Sequence, residues 1–161
     1  MLLLLPLKFY DHDGRIKPPS WFFWLLAISC ADWFISGGIV ASGQYEQLLF
    51  SLFYPHPDYL LWWLSSCIPL SVCAGLIVFR YRLWAKAYFG WVRWLSILLL
   101  VGCLSQLWVA GNIILLTQGA FDFILAAKLI NTLVLLTTWL RSRHLKLMRD
   151  DWLKEQPKSK V

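Results

Sequence analysis

Four stretches of the chain are each long enough to cross a bilayer and nearly free of charge, which constrains the fold more than any other feature. They cover about 20–41, 59–79, 91–116 and 120–140. A membrane-spanning helix needs about 20 apolar residues, whereas a membrane-spanning strand needs about 10 residues with strict alternation. These stretches are continuous and do not alternate. The sequence therefore predicts an all-α integral membrane bundle of four transmembrane helices, with a kink at Pro69 in the second and a loosened end at Gly37-Gly38 in the first.

The composition agrees with this class and excludes others. The chain is 59% hydrophobic and 15% charged, whereas a soluble domain averages about 45–50% apolar and about 25% charged residues. A disordered chain and an ordinary water-soluble enzyme are thereby excluded. The four cysteines lie inside the apolar stretches without a C-x-x-C motif, so we interpret them as small apolar fillers.

The basic residues predict the orientation. Fourteen of the fifteen Lys and Arg residues fall in three segments: 1–19, the region between the second and third stretches with the start of the third, and 141–161. Because positive residues stay in the cytoplasm, we expect both termini to be cytoplasmic. The expected organisation is a cytoplasmic segment over 1–19, the transmembrane domain over 20–140, and a basic helix and tail over 141–161 that continues the last span.

Eight of the eleven tryptophans predict an aromatic belt at each membrane boundary. They are Trp21, Trp24, Trp84, Trp91, Trp94 and Trp139 on the cytoplasmic side, and Trp62 and Trp63 on the other side. The sequence Lys17-Pro18-Pro19 with Trp21 predicts an interfacial anchor, since proline is excluded from helix interiors and marks the entry to the first span. Ser20 is the candidate N-cap of that helix. Recognition of lipid headgroups by this segment is the alternative interpretation.

Two charged residues, Asp32 and Lys128, lie deep inside the apolar stretches, whereas Arg93 and Asp122 lie near the ends of theirs. A charge there is costly, so each should face the bundle interior and have a partner. At about 1.5 Å per residue, both lie about 12 Å from the outer edge of the membrane core. We therefore predict an ion pair between the first and fourth helices. Three interpretations stay open: a pair that sets helix register, a pair that acts on a transported proton or substrate, and no pairing.

Other polar residues recur along the stretches at helical spacing, which places them on shared helix faces. The predicted polar stripe of the bundle consists of Ser29, Ser36, Gln106, Asn112 and Asn131. Such stripes usually help helices to pack, and a water-filled path is the alternative. A second polar group follows the last stretch: Arg141, Arg143, Lys146 and Arg149. We predict that this basic group contacts anionic lipid; the alternative is that its charges only set the topology.

The sequence lacks the motifs of several chemistries. The three histidines lie outside the apolar stretches and no loop clusters Cys with His, which argues against haem and zinc. It contains no P-loop and no G-x-S-x-G motif. We therefore expect no catalytic residue, no metal site and no cofactor. The net charge of +6 reflects topology, so no nucleic-acid partner is expected.

Three motifs carry a family resemblance. They are Tyr10-Asp11-x-x-Gly14-x-Ile16-Lys17-Pro18-Pro19-x-Trp21, Leu52-Phe53-Tyr54-Pro55 and Leu140-Arg141-Ser142-Arg143. Together and in this order they resemble the YfeZ-like inner-membrane proteins of Gram-negative bacteria. The resemblance implies a bacterial inner membrane and a four-helix layout. That family is a domain of unknown function, so the resemblance implies no activity.

Three functions compete on this reading of the sequence. The leading one is a small non-enzymatic membrane protein, an accessory or assembly subunit that packs among membrane lipids against a larger protein or a second copy of itself. The alternative is a small transporter or channel whose path is lined by Asp32, Lys128, Gln106 and Asn131. An enzyme that acts on lipids is the third, and the missing catalytic motifs disfavour it.

Overall fold

The computed structural model describes residues 6, 9–11, 14–54, 59–86, 90–118 and 123–153, and within these residues the all-α prediction is confirmed. The α-helices of this part of the chain are α1 (Ser20–Ser29), α2 (Ala31–Ala41), α3 (Glu46–Phe53), α4 (Leu60–Val78), α5 (Arg80–Ala85), α6 (Trp91–Leu116), α7 (Phe123–Arg141) and α8 (Arg143–Trp152). A 3₁₀ turn over Gly43–Tyr45 joins α2 to α3.

Three of these helices are long and apolar enough to cross a membrane. They are α4, α6 and α7, with mean hydropathies of 1.8, 2.0 and 1.8. The consecutive helices α1 and α2 meet the same criterion when taken together, and they are bent by 49° relative to each other. The described part of the chain thus contains three candidate spans, or four if α1 and α2 form one bent span.

The first candidate span breaks at Cys30, whereas we expected its end to loosen at Gly37-Gly38, and α2 runs through both glycines. Helix α4 runs through Pro69, and the kink that we expected there stays a prediction. At the break, the Ser29 carbonyl accepts hydrogen bonds from Gln106 Nε2 at 2.9 Å and from Cys67 Sγ at 3.3 Å. Side chains of two neighbouring helices therefore satisfy a carbonyl at the break, a recognised cause of a helix bend.

Buried apolar side chains form two clusters. The larger cluster includes Phe22, Leu26, Leu70, Cys73, Ile77, Trp91, Leu95, Leu99, Leu135, Trp139, Leu145, Met148 and Trp152. The smaller cluster consists of Ile39, Tyr54, Trp63, Val109, Ala110, Ile113 and Leu125. Each cluster takes residues from the same four candidate spans, so the two lie at different levels of one bundle.

Helices α4 and α6 approach closely at Gly102. A Cβ atom at this position would lie 2.6 Å from Leu70 Cγ, 2.7 Å from Leu70 Cδ2 and 3.4 Å from the Leu70 backbone nitrogen. Leu70 is itself fully buried in the larger cluster. The contact therefore requires a residue without a side chain, as is common where membrane helices pack.

We expect Gly102→Ala to lower the free energy of unfolding by about 2 kcal/mol, because overpacking a filled core forces neighbouring atoms to shift. Unfolding in mild detergent, followed by circular dichroism, measures the change. Gly111→Ala is the matched control on the same helix, because a Cβ there meets nothing within 4 Å. Equal stability of the two variants would contradict the close α4–α6 contact.

The residues after α7 do not continue that helix, contrary to the expected extension of the last span. Ser142 has an extended backbone with φ −65° and ψ 119°, and its Oγ accepts a hydrogen bond from Leu145 N at 3.4 Å. It thus serves as the N-cap of a separate helix, α8. One face of α8, carrying Leu145, Met148 and Trp152, is buried in the larger cluster.

Helix α8 holds the N-terminal segment against the bundle. Among the described residues of this segment, Tyr10 and Ile16 pair in an antiparallel bridge, the Lys17 backbone nitrogen donates to the Phe9 carbonyl at 2.7 Å, and Gly14 adopts φ +71°. The Ile16 backbone nitrogen donates to Asp151 Oδ2 at 3.0 Å, and Trp152 Nε1 donates to the Ile16 carbonyl at 2.9 Å. The segments before α1 and after α7 therefore close the same end of the bundle.

Three tryptophans meet at this end. The ring centroids of Trp84 and Trp91 each lie 5.5 Å from that of Trp152. Trp91 and Trp139 are buried, whereas Trp24 and Trp94 are exposed on the bundle surface. The predicted cytoplasmic belt is thus divided: some of its tryptophans belong to the protein core, and others face outward.

Candidate functional site

The structure brings Asp32 of α2 and Lys128 of α7 into direct contact. Lys128 Nζ lies 2.6 Å from Asp32 Oδ1, and the pair joins residues 96 positions apart. The Asp32 side chain is 5% exposed and the Lys128 side chain 21% exposed. The ion pair links the bent first span to the last candidate span, inside the bundle.

Two further side chains hold the Asp32 carboxylate. Tyr54 Oη donates a hydrogen bond to Oδ1 at 2.8 Å, and Cys67 Sγ lies 3.7 Å from Oδ2. Tyr54 follows α3 and is outside the candidate spans. Burial raises the pKa of its phenol above the ordinary value, and the hydrogen bond to Asp32 raises that pKa further. Tyr54 therefore stays protonated and acts as a donor at all physiological pH values.

Two aromatic rings flank the Lys128 ammonium. Its Nζ lies 4.4 Å from the Trp63 ring centroid and 5.1 Å from the Tyr54 ring centroid. Both distances are within the range in which a ring face attracts a cation, roughly 6 Å. Trp63 is buried at 6% exposure, so it belongs to this site and not to the predicted outer belt. Trp62, its neighbour in sequence, is exposed.

A polar network continues from the ion pair across the bundle. Gln106 Nε2 donates to the Ser29 carbonyl at 2.9 Å, and Gln106 Oε1 accepts from Thr132 Oγ1 at 2.9 Å. Asn131 Nδ2 donates to Ser29 Oγ at 2.8 Å. Three members of the predicted polar stripe, Ser29, Gln106 and Asn131, thus meet beside Asp32 and Lys128.

The other two stripe residues do not join this network. Ser36 Oγ donates to the Trp33 carbonyl at 3.2 Å, and Asn112 Nδ2 donates to the Trp108 carbonyl at 2.8 Å, each within its own helix. The helical spacing that connected Ser29 with Ser36 does not extend across the break at Cys30. Asn112 follows Gln106 by six residues, which at 3.6 residues per turn places it about 240° around α6.

A cavity of about 200 Å³ adjoins the ion pair. Asp32, Lys128, Trp63, Gln106 and Asn131 line it, together with apolar residues from α1, α2 and α7. Of these apolar residues, Ile28 is 56% exposed and Phe123 is 75% exposed. The cavity therefore opens sideways, between the bent first span and α7.

The site lies between the two apolar clusters on every candidate span. Each span carries, in this order, a residue of the smaller cluster, a residue of the site and a residue of the larger cluster. The residues are Ile39, Asp32 and Leu26 on the bent first span; Trp63, Cys67 and Leu70 on α4; Val109, Gln106 and Cys103 on α6; and Leu125, Lys128 and Leu135 on α7. The charged pair and its cavity thus occupy a polar layer, and packed apolar side chains separate that layer from both ends of the bundle.

The predicted anchor residues take part in the closed end of the bundle. Lys17 Nζ lies 3.7 Å from Asp11 Oδ1, and the Lys17 carbonyl lies 3.0 Å from His144 Nε2. Pro18 is buried, and Pro19 occupies the N-cap position that we expected for Ser20. Trp21 is partly exposed at the start of α1. Contact of this segment with lipid headgroups stays a prediction.

The predicted lipid-binding residues lie around the start of α8 and along it. Arg141, Arg143 and Lys146 are exposed, and Arg149 is partly buried. Because the apolar face of α8 is buried in the protein, that face is not available to enter a membrane. Binding to anionic lipid would therefore depend on the basic face alone, and it too stays a prediction.

Four residues of the site were not identified from the sequence. They are Tyr54, Trp63, Cys67 and Thr132. Cys67 was interpreted as a filler, and Trp63 as part of a belt. A signal for two of them was present: Cys67 is four residues after Trp63, so both lie on one face of α4. Tyr54 comes from an inter-span segment, whose path the spacing of residues does not predict.

Comparison with known proteins yields one family. A family model described as a protein of unknown function (DUF2919) matches residues 5–151. No curated protein and no solved structure matches the chain. Within the described residues, no group of three His, Cys, Asp or Glu side chains is placed to hold a metal ion.

Proposed function

Because the chain belongs to the DUF2919 family of proteins of unknown function, we propose a function from its geometry: a non-enzymatic, multi-pass inner-membrane protein that transports a small ligand at the Asp32–Lys128 site. One observation carries the proposal, namely that a buried ion pair lines a cavity. A pair that only sets helix register needs no adjoining space. Charged residues at this depth commonly mark a ligand or ion pathway.

The proposed arrangement in the membrane has four spans, with α1 and α2 as one bent span and both termini in the cytoplasm. Its support is the distribution of Lys and Arg residues, together with the hydropathy of the helices. The resemblance to YfeZ-like proteins supports a bacterial inner membrane. Fusions of a periplasm-active and a cytoplasm-active reporter to the C-terminus test the orientation.

A transporter fits this geometry better than an open channel. Apolar clusters lie on both sides of the polar layer, so a path through the bundle requires each cluster to open in turn. The break at Cys30 supplies a bend at which α2 can move relative to α1. Movement there would shift Asp32 while α1 stays packed in the larger cluster. Hinges of this kind are common in domain and gate movements.

Flux through purified protein in liposomes tests this proposal. Pyranine trapped inside reports protons, and ethidium reports an organic dye. We expect flux of one probe above that of protein-free liposomes, falling to background in Asp32→Asn because that change removes the carboxylate that lines the cavity. Ser36→Ala is the matched control on the same helix, since Ser36 lies outside the network. Background flux of both probes in the wild type would count against transport.

An accessory subunit is the second candidate, favoured by a groove on the bundle surface. This groove has a volume of about 200 Å³ and is lined by Tyr59, Trp62, Trp108 and Asn112, among others. Amide side chains between membrane helices commonly bond to a partner helix. A stoichiometric partner that co-purifies in mild detergent, and is lost in Asn112→Leu, would support this role.

A further inference from the structure

We propose that the cavity binds a small organic cation, which takes the place of the Lys128 ammonium against Asp32, Trp63 and Tyr54. This inference rests on the ligand site proposed above and names its ligand class. The geometry contains a complete receptor for a cation: one carboxylate oxygen 2.6 Å from the nitrogen and two ring centroids at 4.4 and 5.1 Å. Lys128 occupies this receptor as a tethered cation.

The carboxylate is the fixed half of the pair. Tyr54 Oη donates to it at 2.8 Å, Cys67 Sγ lies 3.7 Å away, and its side chain is 5% exposed. Asp32 also has a short side chain with few rotamers. A ligand that displaced Asp32 from Lys128 would have to break these contacts and leave a carboxylate buried without a partner, at high cost.

The ammonium is the movable half. Among the described residues, Asp32 Oδ1 is its hydrogen-bonding partner, and the Lys128 side chain is 21% exposed. Lysine carries its charge on a flexible four-carbon stem. The cavity opens sideways between α1, α2 and α7, so the stem can turn toward this opening and leave the interior of the cavity to the ligand. Exchange of one cation for another leaves Asp32 paired throughout.

The aromatic rings select for the sign of the charge. The face of an aromatic ring carries partial negative charge and attracts ammonium groups, including quaternary ones. An anion in the same position would be repelled by both rings and by Asp32. The site therefore favours a cation over a carboxylate or a phosphate.

The size and lining of the cavity define the rest of the ligand. A volume of about 200 Å³ is somewhat larger than the roughly 150 Å³ that accommodates benzene in an engineered protein cavity. The wall contains Ile28, Ile35, Phe53 and Phe123. A single aromatic ring bearing an ammonium group fits this space, and benzyltrimethylammonium is the probe that we choose.

Equilibrium binding of radiolabelled benzyltrimethylammonium to the full chain in lipid nanodiscs tests the inference. We expect Lys128→Met to bind the probe about tenfold more tightly than the wild type, because an internal competitor reduces the apparent affinity in proportion to the fraction of receptor that it leaves free. Asp32→Asn should lose binding. Phenylacetate and the neutral isostere 2,2-dimethylpropylbenzene should compete poorly with the labelled probe in the wild type.

Two results would overturn the inference: equal or weaker binding of the cation to Lys128→Met, or stronger binding of phenylacetate than of the cation to the wild type. The competition experiment in the wild type decides the sign of the charge that the ligand carries, even if a variant fails to fold. If the wild type preferred phenylacetate, the cavity would still be a ligand site, but its ligand would not be a cation. If no probe binds, the cation inference fails, and the flux assay still decides on transport separately.

Discussion

Asp32→Asn is expected to lower the free energy of unfolding by about 3 kcal/mol, since removing one member of a buried ion pair leaves the other charge without compensation. Lys128 would face a neutral amide at the distance where it now meets a carboxylate. Tyr54 would also lose the charged acceptor of its hydrogen bond. Unfolding of the purified protein in mild detergent, by denaturant titration, measures the change.

The double variant Asp32→Asn/Lys128→Met separates the contribution of the ion pair to stability from the contributions of the two single side chains. Removing both charges leaves neither one buried alone, so the double variant should be more stable than Asp32→Asn. Ser36→Ala, on the same helix and outside the network, should be close to the wild type. A harmless Asp32→Asn, or a double variant no better than it, would show that the pair does not contribute to stability.

Trp152→Ala should destabilise the protein by about 4 kcal/mol, the usual range for deleting a fully buried aromatic side chain. Trp152 is completely buried, packs on Trp84 and Trp91, and donates to the Ile16 carbonyl at 2.9 Å. Its loss should also detach the N-terminal segment. Unfolding in detergent reports the stability, and limited proteolysis reports the release of the segment before α1.

Two variants of the same region serve as controls. Trp152→Phe keeps a ring in the tryptophan cluster and loses the hydrogen bond to Ile16, so its effect should be smaller than that of Trp152→Ala. Leu153→Ala changes the next residue, which is exposed, and should be nearly neutral. If Trp152→Ala were as stable as Leu153→Ala, α8 would not belong to the core.

Much of the fold could be predicted because the membrane imposes simple rules on a sequence. Length and hydropathy predicted the ranges in which α4, α6 and α7 lie. The bend at Cys30 was not predictable from local signals, since Pro69 and Gly37-Gly38 were the stronger ones. It depends on hydrogen bonds from Gln106 and Cys67 on other helices. Likewise, α8 separates from α7 at Ser142, where the sequence pattern suggested continuity.

The candidate site was only partly predictable, for a related reason. Asp32 and Lys128 stood out because charges are rare at this depth, and counting residues placed them at one level. Spacing along a single helix selected Ser29, Gln106 and Asn131, but it also selected Ser36 and Asn112, whose side chains bond within their own helices. Tyr54 and Trp63 enter the site through tertiary packing, which no periodicity in the sequence encodes.

The separation of 96 residues between Asp32 and Lys128 has a consequence for biogenesis. At a synthesis rate of about 5–20 residues per second, the first span waits roughly 5 to 20 seconds before its counter-charge is made. During that interval, in the proposed arrangement, a half-made chain presents a lone carboxylate to the lipid. A chain that ends before α7 never neutralises it. The pair therefore forms only after α7 has been made, and Asp32 of a chain that ends earlier stays without its counter-charge.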